Sequence, residues 1–121
     1  MKQLALLILL AVTCQAGEVE EVKRIAAEWQ AKGIKVEGVE VRQWDYVRVD
    51  LLTDTHAYEA DWPHKWAEAI GQALYYAELT GRKPGIILLV RDIQKEGRYV
   101  YRCQTICAKY GIKLVLEAVK E

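Results

Sequence analysis

The chain has 121 residues, 52% of them hydrophobic, and its 17 basic residues balance its 17 acidic residues. This length fits one globular domain. The charge balance excludes a generally cationic nucleic-acid coat and an acidic disordered tail. The longest uncharged apolar run, residues 4–12, is nine residues long, whereas a membrane span needs about 20. The sequence therefore predicts no membrane-spanning helix.

The first 16 residues have the features of an export signal. Lys2 supplies a positive start, an apolar segment follows, and Cys14-Gln15-Ala16 has the small-x-small pattern of a cleavage site. We predict cleavage after Ala16, a single mature domain over residues 17–121, and a periplasmic or secreted location. A buried N-terminal helix and a lipid-modified Cys14 are the alternatives.

Hydrophobic periodicity predicts three helices and five strands in the order α-β-β-β-α-β-α-β. The predicted helices cover residues 18–32, 63–80 and 98–110, and the predicted strands cover residues 34–41, 46–52, 56–61, 86–90 and 112–116. Three consecutive strands predict an antiparallel meander, and the β-α-β-α-β remainder predicts parallel or mixed pairing through right-handed crossovers. The predicted fold is therefore mixed α/β, with a central mixed sheet flanked by helices.

Glycine and proline define most of the predicted boundaries. Gly38 breaks the alternation of the first strand and predicts a bulge or a turn. Pro63 begins the second helix, with Asp61 as a candidate cap. We expect residues 82–85 to form a loop and Gly97 to precede the third helix.

Three carboxylates are predicted to meet at one edge of the sheet. Glu59 and Asp61 are two residues apart on one strand and project from the same face, and Asp50 lies on the strand expected to pair with it. Oxygen-rich clusters bind hard cations such as Mg²⁺, and a cation offsets the repulsion among the carboxylates. The sequence thus predicts a site for Mg²⁺ or Mn²⁺. In the alternative interpretation, Asp61 only caps the helix that follows.

The helix that follows carries a polar face. Lys65, Glu68, Gln72 and Tyr76 are spaced three, four and four residues apart, so they share one side of the helix, with Tyr75 beside them. Because this face begins four residues after Asp61, its first turn should lie close to the carboxylates. A lysine or a glutamine there can hold a phosphate or a water. The alternative is an ordinary solvated helix face.

These residues resemble the PD-(D/E)XK nuclease superfamily, which has the restriction-endonuclease-like fold. The resemblance rests on Arg48-Val49-Asp50, Glu59-Ala60-Asp61 and the Gln-x-x-x-Tyr spacing of Gln72 and Tyr76, which is typical of the RecB-type branch. It covers residues 18–116. Residues 47–90 are also similar to a group of small bacterial proteins that carry export leaders and have no assigned function.

The resemblance implies Mg²⁺-dependent or Mn²⁺-dependent hydrolysis of phosphodiester bonds in nucleic acid, with DNA as the expected partner rather than RNA. Asp50 matches the first metal-binding aspartate and Glu59 the acidic residue of the (D/E)XK pair. Asp61, a further candidate metal ligand, stands where the family has lysine, and Lys65 is placed to supply that charge from the helix. Gln72 and Tyr76 would position the substrate or the lysine.

Two other functions remain open in the sequence. The missing lysine and the absence of net positive charge favour a nuclease-like fold that has become a non-catalytic binding or interaction module in the cell envelope. A thiol-based redox protein built on Cys103 and Cys107 lacks a Cys-x-x-Cys motif. These two cysteines could form a disulfide or remain buried thiols. His56 is interpreted as a surface residue and His64 as a polar residue of the first helical turn, with a base or a ligand as the alternative for His64.

Overall fold

The computed structural model describes the backbone of residues 2–119 and the side chains of residues 17–119. The described chain contains α1 (Lys2–Ala31), β1 (Val36–Arg42), β2 (Arg48–Thr53), β3 (His56–Asp61), the 3-10 turn η1 (Pro63–Lys65), α2 (Trp66–Thr80), β4 (Lys83–Val90), α3 (Ile93–Tyr110) and β5 (Lys113–Ala118). The predicted leader lies outside the described side chains, so its cleavage and the exported location stay predictions. No helix in the described part is long and apolar enough to cross a bilayer.

The five strands form one sheet in the order β1-β2-β3-β4-β5. The first three strands pair antiparallel, and β4 and β5 join in parallel after crossovers that contain α2 and α3. The predicted element order, meander and mixed sheet are therefore confirmed. Because β3 runs antiparallel to one neighbour and parallel to the other, its end at Asp61 lies beside the start of β2 and the end of β4.

Helices cover both faces of the sheet. On one face α1 contributes Val22, Ile25 and Trp29 to a core with the sheet residues Leu51, Tyr58, Ala60, Ile87 and Leu89. On the other face α2 and α3 contribute Ala69, Ala73, Val100, Cys103 and Cys107 to a core with Ile86 and Leu88. The aliphatic run of β4 is thus buried on both sides, as its composition indicates. Each such aliphatic side chain contributes about 1.5–3 kcal/mol by leaving water.

Several predicted boundaries are confirmed in detail. The antiparallel register shifts between Val36 and Gly38, which is the predicted irregularity in β1. Gly81 ends α2 and Gly111 ends α3, each with a positive φ, a conformation that glycine adopts without a steric penalty.

The predicted start of α3 at Arg98 is wrong. The helix begins five residues earlier at Ile93, because the Asp92 side chain accepts hydrogen bonds from the backbone N–H groups of Gln94 and Lys95. An aspartate at this position satisfies amide groups that have no partner inside the helix. Gly97 therefore lies within the first turns of α3 rather than before it.

The starts of β4 and β2 also differ from prediction. Lys83 and Pro84 belong to β4 rather than to a loop, because they pair in parallel with His56 and Ala57 of β3. The strand β2 begins at Arg48 rather than at residue 46, since Tyr46 has a positive φ of 76° and belongs to the preceding turn.

Candidate functional site: an acidic row beside the end of β3

Three carboxylates lie in one row across the first three strands. Val39 and Val41 of β1 pair with Leu51 and Val49 of β2, which places Glu40 opposite Asp50, and Asp50 Oδ2 accepts a hydrogen bond from the backbone of β3 next to Glu59. Residues opposite one another on antiparallel strands have Cβ atoms about 4.5–5.5 Å apart. The structure thus brings together the predicted pair Asp50 and Glu59, and adds Glu40 beside them.

The Asp50 and Glu59 carboxyl groups are close enough for each to shift the pKa of the other. Two buried carboxyl groups at such a distance are stable together when one of them keeps its proton. Burial raises the pKa of Glu59, whose side chain is 4% exposed, and the neighbouring charge of Asp50 raises it further. Burial also raises the pKa of Asp50, although its Oδ2 accepts a hydrogen bond of 2.8 Å from the Ala60 N–H, which opposes that rise. That proton therefore resides mainly on Glu59.

The two residues of the Gln-x-x-x-Tyr spacing both lie close to Glu59. With the Gln72 amide oriented to satisfy both of its ends, its Nε2 donates to the Glu59 carboxylate oxygens at 2.8 and 3.0 Å. The Tyr76 hydroxyl lies 3.3 Å from the Gln72 side-chain amide, and burial and the nearby charge of Glu59 raise the pKa of that phenol. At Tyr76 the solvated-face alternative is wrong, because this side chain is only 6% exposed and belongs to a buried cluster with Val49.

Asp61 is buried on the same side of β3 as Glu59, two residues further along. Its Oδ1 accepts a hydrogen bond of 2.9 Å from the Trp62 N–H. Burial raises the pKa of Asp61, and this hydrogen bond and the Lys65 charge act against the rise. The proposal that Asp61 caps the helix is wrong, since neither η1 nor α2 has a side-chain cap.

An open cleft of about 530 Å³ adjoins the acidic row. Glu18 and Val19 of α1, Glu40 of β1, Arg48 of β2 and Lys65 of η1 line it. Lys65 is close enough to Glu18 and Asp61 for its charge to lower the pKa of both carboxyl groups.

Glu18 brings a further carboxylate to this cleft from α1. Burial raises its pKa from 4.5 to about 7, and the negative charges of Asp61 and Asp50 contribute to the rise. The sequence interpretation missed Glu18 and Glu40. Glu18 lies more than 30 residues before Asp50 in the chain, and no spacing rule connects them. For Glu40 the sequence did contain a sign of irregular backbone, because it follows Gly38 closely. In the structure the φ of Glu40 is +53°.

The carboxyl groups of the acidic row suit a hard divalent cation, since all of their ligand atoms are oxygen. A cation could offset the charges of Asp50 and Glu59 as a proton does. Among the side chains of residues 17–119, however, no three His, Cys, Asp or Glu residues are arranged closely enough to hold a metal ion. Mg²⁺ is commonly bound through one or two carboxylates and retains several waters. The arrangement therefore fits a two-carboxylate site better than the predicted three-carboxylate site that includes Asp61.

Other residues considered in the sequence lie outside this site. His56 stacks on Tyr58, with ring centroids 5.5 Å apart, and begins β3 at the end remote from Asp61. Glu68 and His64 are exposed. Arg91 lies over the Trp62 ring at 3.7 Å, which holds that ring in a packing role.

The two cysteines of α3 are free and buried, and their Sγ atoms are 3.8 Å apart. Of the two alternatives left open by the sequence, the structure therefore has buried thiols. Burial raises the pKa of Cys103 to about 12, which keeps that thiol protonated and unreactive at neutral pH. Nothing at this pair supports a redox function.

Comparison with known proteins gives no match: no protein-family model, no curated protein and no solved structure matches this chain.

Proposed function

We propose that this chain is a divalent-cation-dependent nuclease of the PD-(D/E)XK type, which hydrolyses phosphodiester bonds in nucleic acid. One observation carries the proposal: the Asp50 and Glu59 carboxyl groups lie close together on β2 and β3, Gln72 of the next helix donates to Glu59, and Tyr76 lies beside them against Gln72. Buried acids that are adjacent and oriented by polar partners are typical of active sites.

The order of elements supports the same proposal. A helix, three antiparallel strands, a helix and a parallel strand form the described fold up to β4, and the restriction-endonuclease-like core has this order. In that fold the acidic residues would occupy neighbouring strands ahead of α2, as Asp50 and Glu59 do here. We further propose export to the periplasm or the medium, with DNA as the substrate.

In this proposal Asp50 and Glu59 hold Mg²⁺ or Mn²⁺. Such an ion polarises a phosphoryl oxygen and lowers the pKa of a bound water. Gln72 and Tyr76 hold the Glu59 carboxyl group in one orientation. Lys65, which lies in the open cleft, would stabilise negative charge that develops on the phosphate. Lys65 of η1 would thus supply the positive charge that the family supplies from a lysine on the strand, where this chain has Asp61.

A non-catalytic binding module is the second candidate, and two observations favour it. Asp61 occupies the position where the nuclease pattern has lysine, and the cleft beside it carries Glu18 and Glu40. Negative charges near a phosphate backbone oppose binding unless cations offset them. In this case the fold would persist and hydrolysis would be absent.

Cleavage assays distinguish these functions. We expect the purified protein to cleave single-stranded or double-stranded DNA with Mg²⁺ or Mn²⁺ and to lose that activity in EDTA. Glu59→Gln should abolish cleavage, because it removes the charge that holds the cation while preserving side-chain size. Glu78→Gln is the matched control, since Glu78 is an exposed residue of the same helix as Gln72. Cleavage at full rate by Glu59→Gln would show that these residues are not the site.

Lys65→Ala gives a separate prediction about the role of the helix lysine. We expect a fall in turnover of about a hundredfold, which is the lower end of the loss found when one electrostatic contact to a transition state is removed, and little change in cation affinity. Single-turnover kinetics and a cation titration measure the two effects independently. Unchanged turnover would exclude Lys65 as the substitute for the missing strand lysine.

A further inference from the structure

A second cleft lies at the opposite end of the sheet from the acidic row. It has a volume of about 330 Å³ and is bounded by the end of α1, the turn between β2 and β3, and the start of β5. Its walls include Trp29, Lys35, Tyr58 and Lys113. None of these residues contributes to the proposed nuclease site, so the cleft requires a separate explanation.

Two of the residues in this cleft are lysines without counter-charges. Lys35 follows α1 and Lys113 begins β5, and neither forms an ion pair with any described side chain. Asp54 also lines the cleft and, like both lysines, is exposed. The two lysines outweigh this one carboxylate, so the net charge of the walls is positive, and Lys83 at the start of β4 adds to the positive field close by.

The aromatic walls add hydrogen-bond donors. Trp29 is 7% exposed and Tyr58 is 3% exposed, yet the indole N–H and the phenol hydroxyl have no hydrogen-bond partner in the described structure. No buried side-chain nitrogen or oxygen among the described residues is without a partner, so both polar atoms reach solvent. Because both rings line the cleft, the cleft is the solvent-filled space available to these donors.

The turn at the base of the cleft is rigid. The Thr53 hydroxyl accepts hydrogen bonds from the backbone N–H groups of Thr55 and His56 at 3.3 and 3.0 Å. The Thr55 hydroxyl is bonded to His56 Nδ1 at 2.8 Å, and the His56 ring stacks on Tyr58. A site with fixed walls needs little reorganisation on binding.

We infer that this cleft binds a phosphoryl group, either inorganic phosphate or the phosphate of a small phosphorylated molecule. Two ammonium groups, an indole N–H and a phenol hydroxyl line one space, and a phosphoryl group presents several charged acceptor oxygens to such donors. Trp29 and Tyr58 contact each other edge to face, with centroids 5.0 Å apart, so they provide polar edges rather than an open stacking surface.

The pKa of His56 can be used to measure the binding of an anion in this cleft. Burial and the charges of Lys113 and Lys83 lower the pKa of His56, and Asp54 opposes them. An anion beside the lysines offsets their charge, so phosphate binding raises the His56 pKa. His64, the only other histidine in the sequence, follows β3 at its far end and its resonances should not move.

NMR titration of the histidine side chains with inorganic phosphate, and separately with a nucleoside 5′-monophosphate, tests the inference. We expect saturable shifts and a raised His56 pKa. A response to both ligands identifies the phosphoryl group as the recognised element, and a response to the monophosphate alone identifies a phosphorylated molecule. No response to either ligand would overturn the inference.

Lysine variants locate the binding. Lys35→Gln and Lys113→Gln should each weaken phosphate binding about tenfold, which corresponds to the loss of one charge-assisted hydrogen bond, whereas Lys109→Gln on exposed α3 should leave it unchanged. Since Lys113→Gln itself raises the pKa of His56, the comparison uses the change that the ligand causes in each variant. Equal affinity in all three variants would place the ligand elsewhere and contradict the inference.

Discussion

Glu59 lies beside Asp50, beneath Gln72 and Tyr76, and almost entirely out of water. A carboxylate in such a place is stable only when a proton or a cation offsets its charge. The burial and the polar neighbours that favour a protonated Glu59 in the absence of metal therefore also favour the binding of a cation there. This dual role is the physical basis of the proposed site.

The stability of the cation-free protein should depend on pH through its buried carboxyl groups. Burial raises the pKa of Glu59, Asp50 and Glu18, the last from 4.5 to about 7. The folded state therefore retains protons that the unfolded state has lost once the pH exceeds 4.5. Stability must then fall as the pH rises from there through the raised pKa values of the folded state. We expect the Tm of the cation-free protein to decrease across this range.

The glutamine variants test the assignment of that effect. Glu59→Gln should raise the Tm at the upper end of this pH range and reduce its dependence on pH, because the amide cannot ionise. Glu78→Gln should follow the unmodified protein. Thermal melts in EDTA at a series of pH values measure both, and a steep decline that persists in Glu59→Gln would assign the titration to other groups.

The sequence predicted the central contacts of the site because they follow from short-range rules. Strand alternation places Glu59 and Asp61 on one face, a tight turn pairs their strand with that of Asp50, and the four-residue spacing aligns Gln72 with Tyr76. Glu18 could not be predicted, because its position depends on how α1 packs across the sheet. No local pattern specifies such a contact.

At the scale of single elements, α3 depends on its first turn. Asp92 accepts from the backbone of Gln94 and Lys95, and Glu96 accepts from the N–H groups of Arg91 and Asp92 at 2.7 and 2.8 Å. Asp92→Ala should lower the free energy of unfolding by about 1 kcal/mol, as measured by urea denaturation. Asp92→Asn retains an acceptor and should lose much less. Equal losses in both variants would indicate that the cap does not operate.

Two glycines give opposite predictions. In Gly85→Ala the new Cβ would overlap the Tyr58 ring, with Cε1 2.5 Å away, so we expect a loss of about 1–3 kcal/mol. In Gly97→Ala, within α3, nothing lies within 4 Å of the new Cβ, and we expect a gain of about 0.5–1 kcal/mol. Urea denaturation measures both variants, and destabilisation by Gly97→Ala would contradict the argument that glycine weakens the interior of α3.

The element boundaries that the sequence did not predict share a physical cause. Lys83 and Pro84 have loop composition, yet pairing with β3 makes them part of β4. Ile93 is a poor periodic match, yet the Asp92 cap begins α3 there. Hydrophobic periodicity identifies the buried middle of an element, whereas its ends depend on hydrogen-bond partners elsewhere in the chain.

At the scale of the whole molecule, the sheet separates two charged regions. Carboxylates from α1, β1, β2 and β3 lie beside the end of β3, and lysines that follow α1 and begin β4 and β5 lie at its start. The chain as a whole is neutral, so its composition could not reveal this separation. One end suits a cation and the other suits a small anion, which predicts that the two ligands bind independently.

Calorimetric titration of the nucleic-acid-free protein with Mn²⁺ measures directly whether Asp50 and Glu59 bind a divalent cation, because it requires no substrate. We predict saturable binding by the unmodified protein and by Glu78→Gln, and loss of that binding in Glu59→Gln. An unmodified protein that binds no Mn²⁺, or a Glu59→Gln variant that binds it with unchanged affinity, would contradict the account.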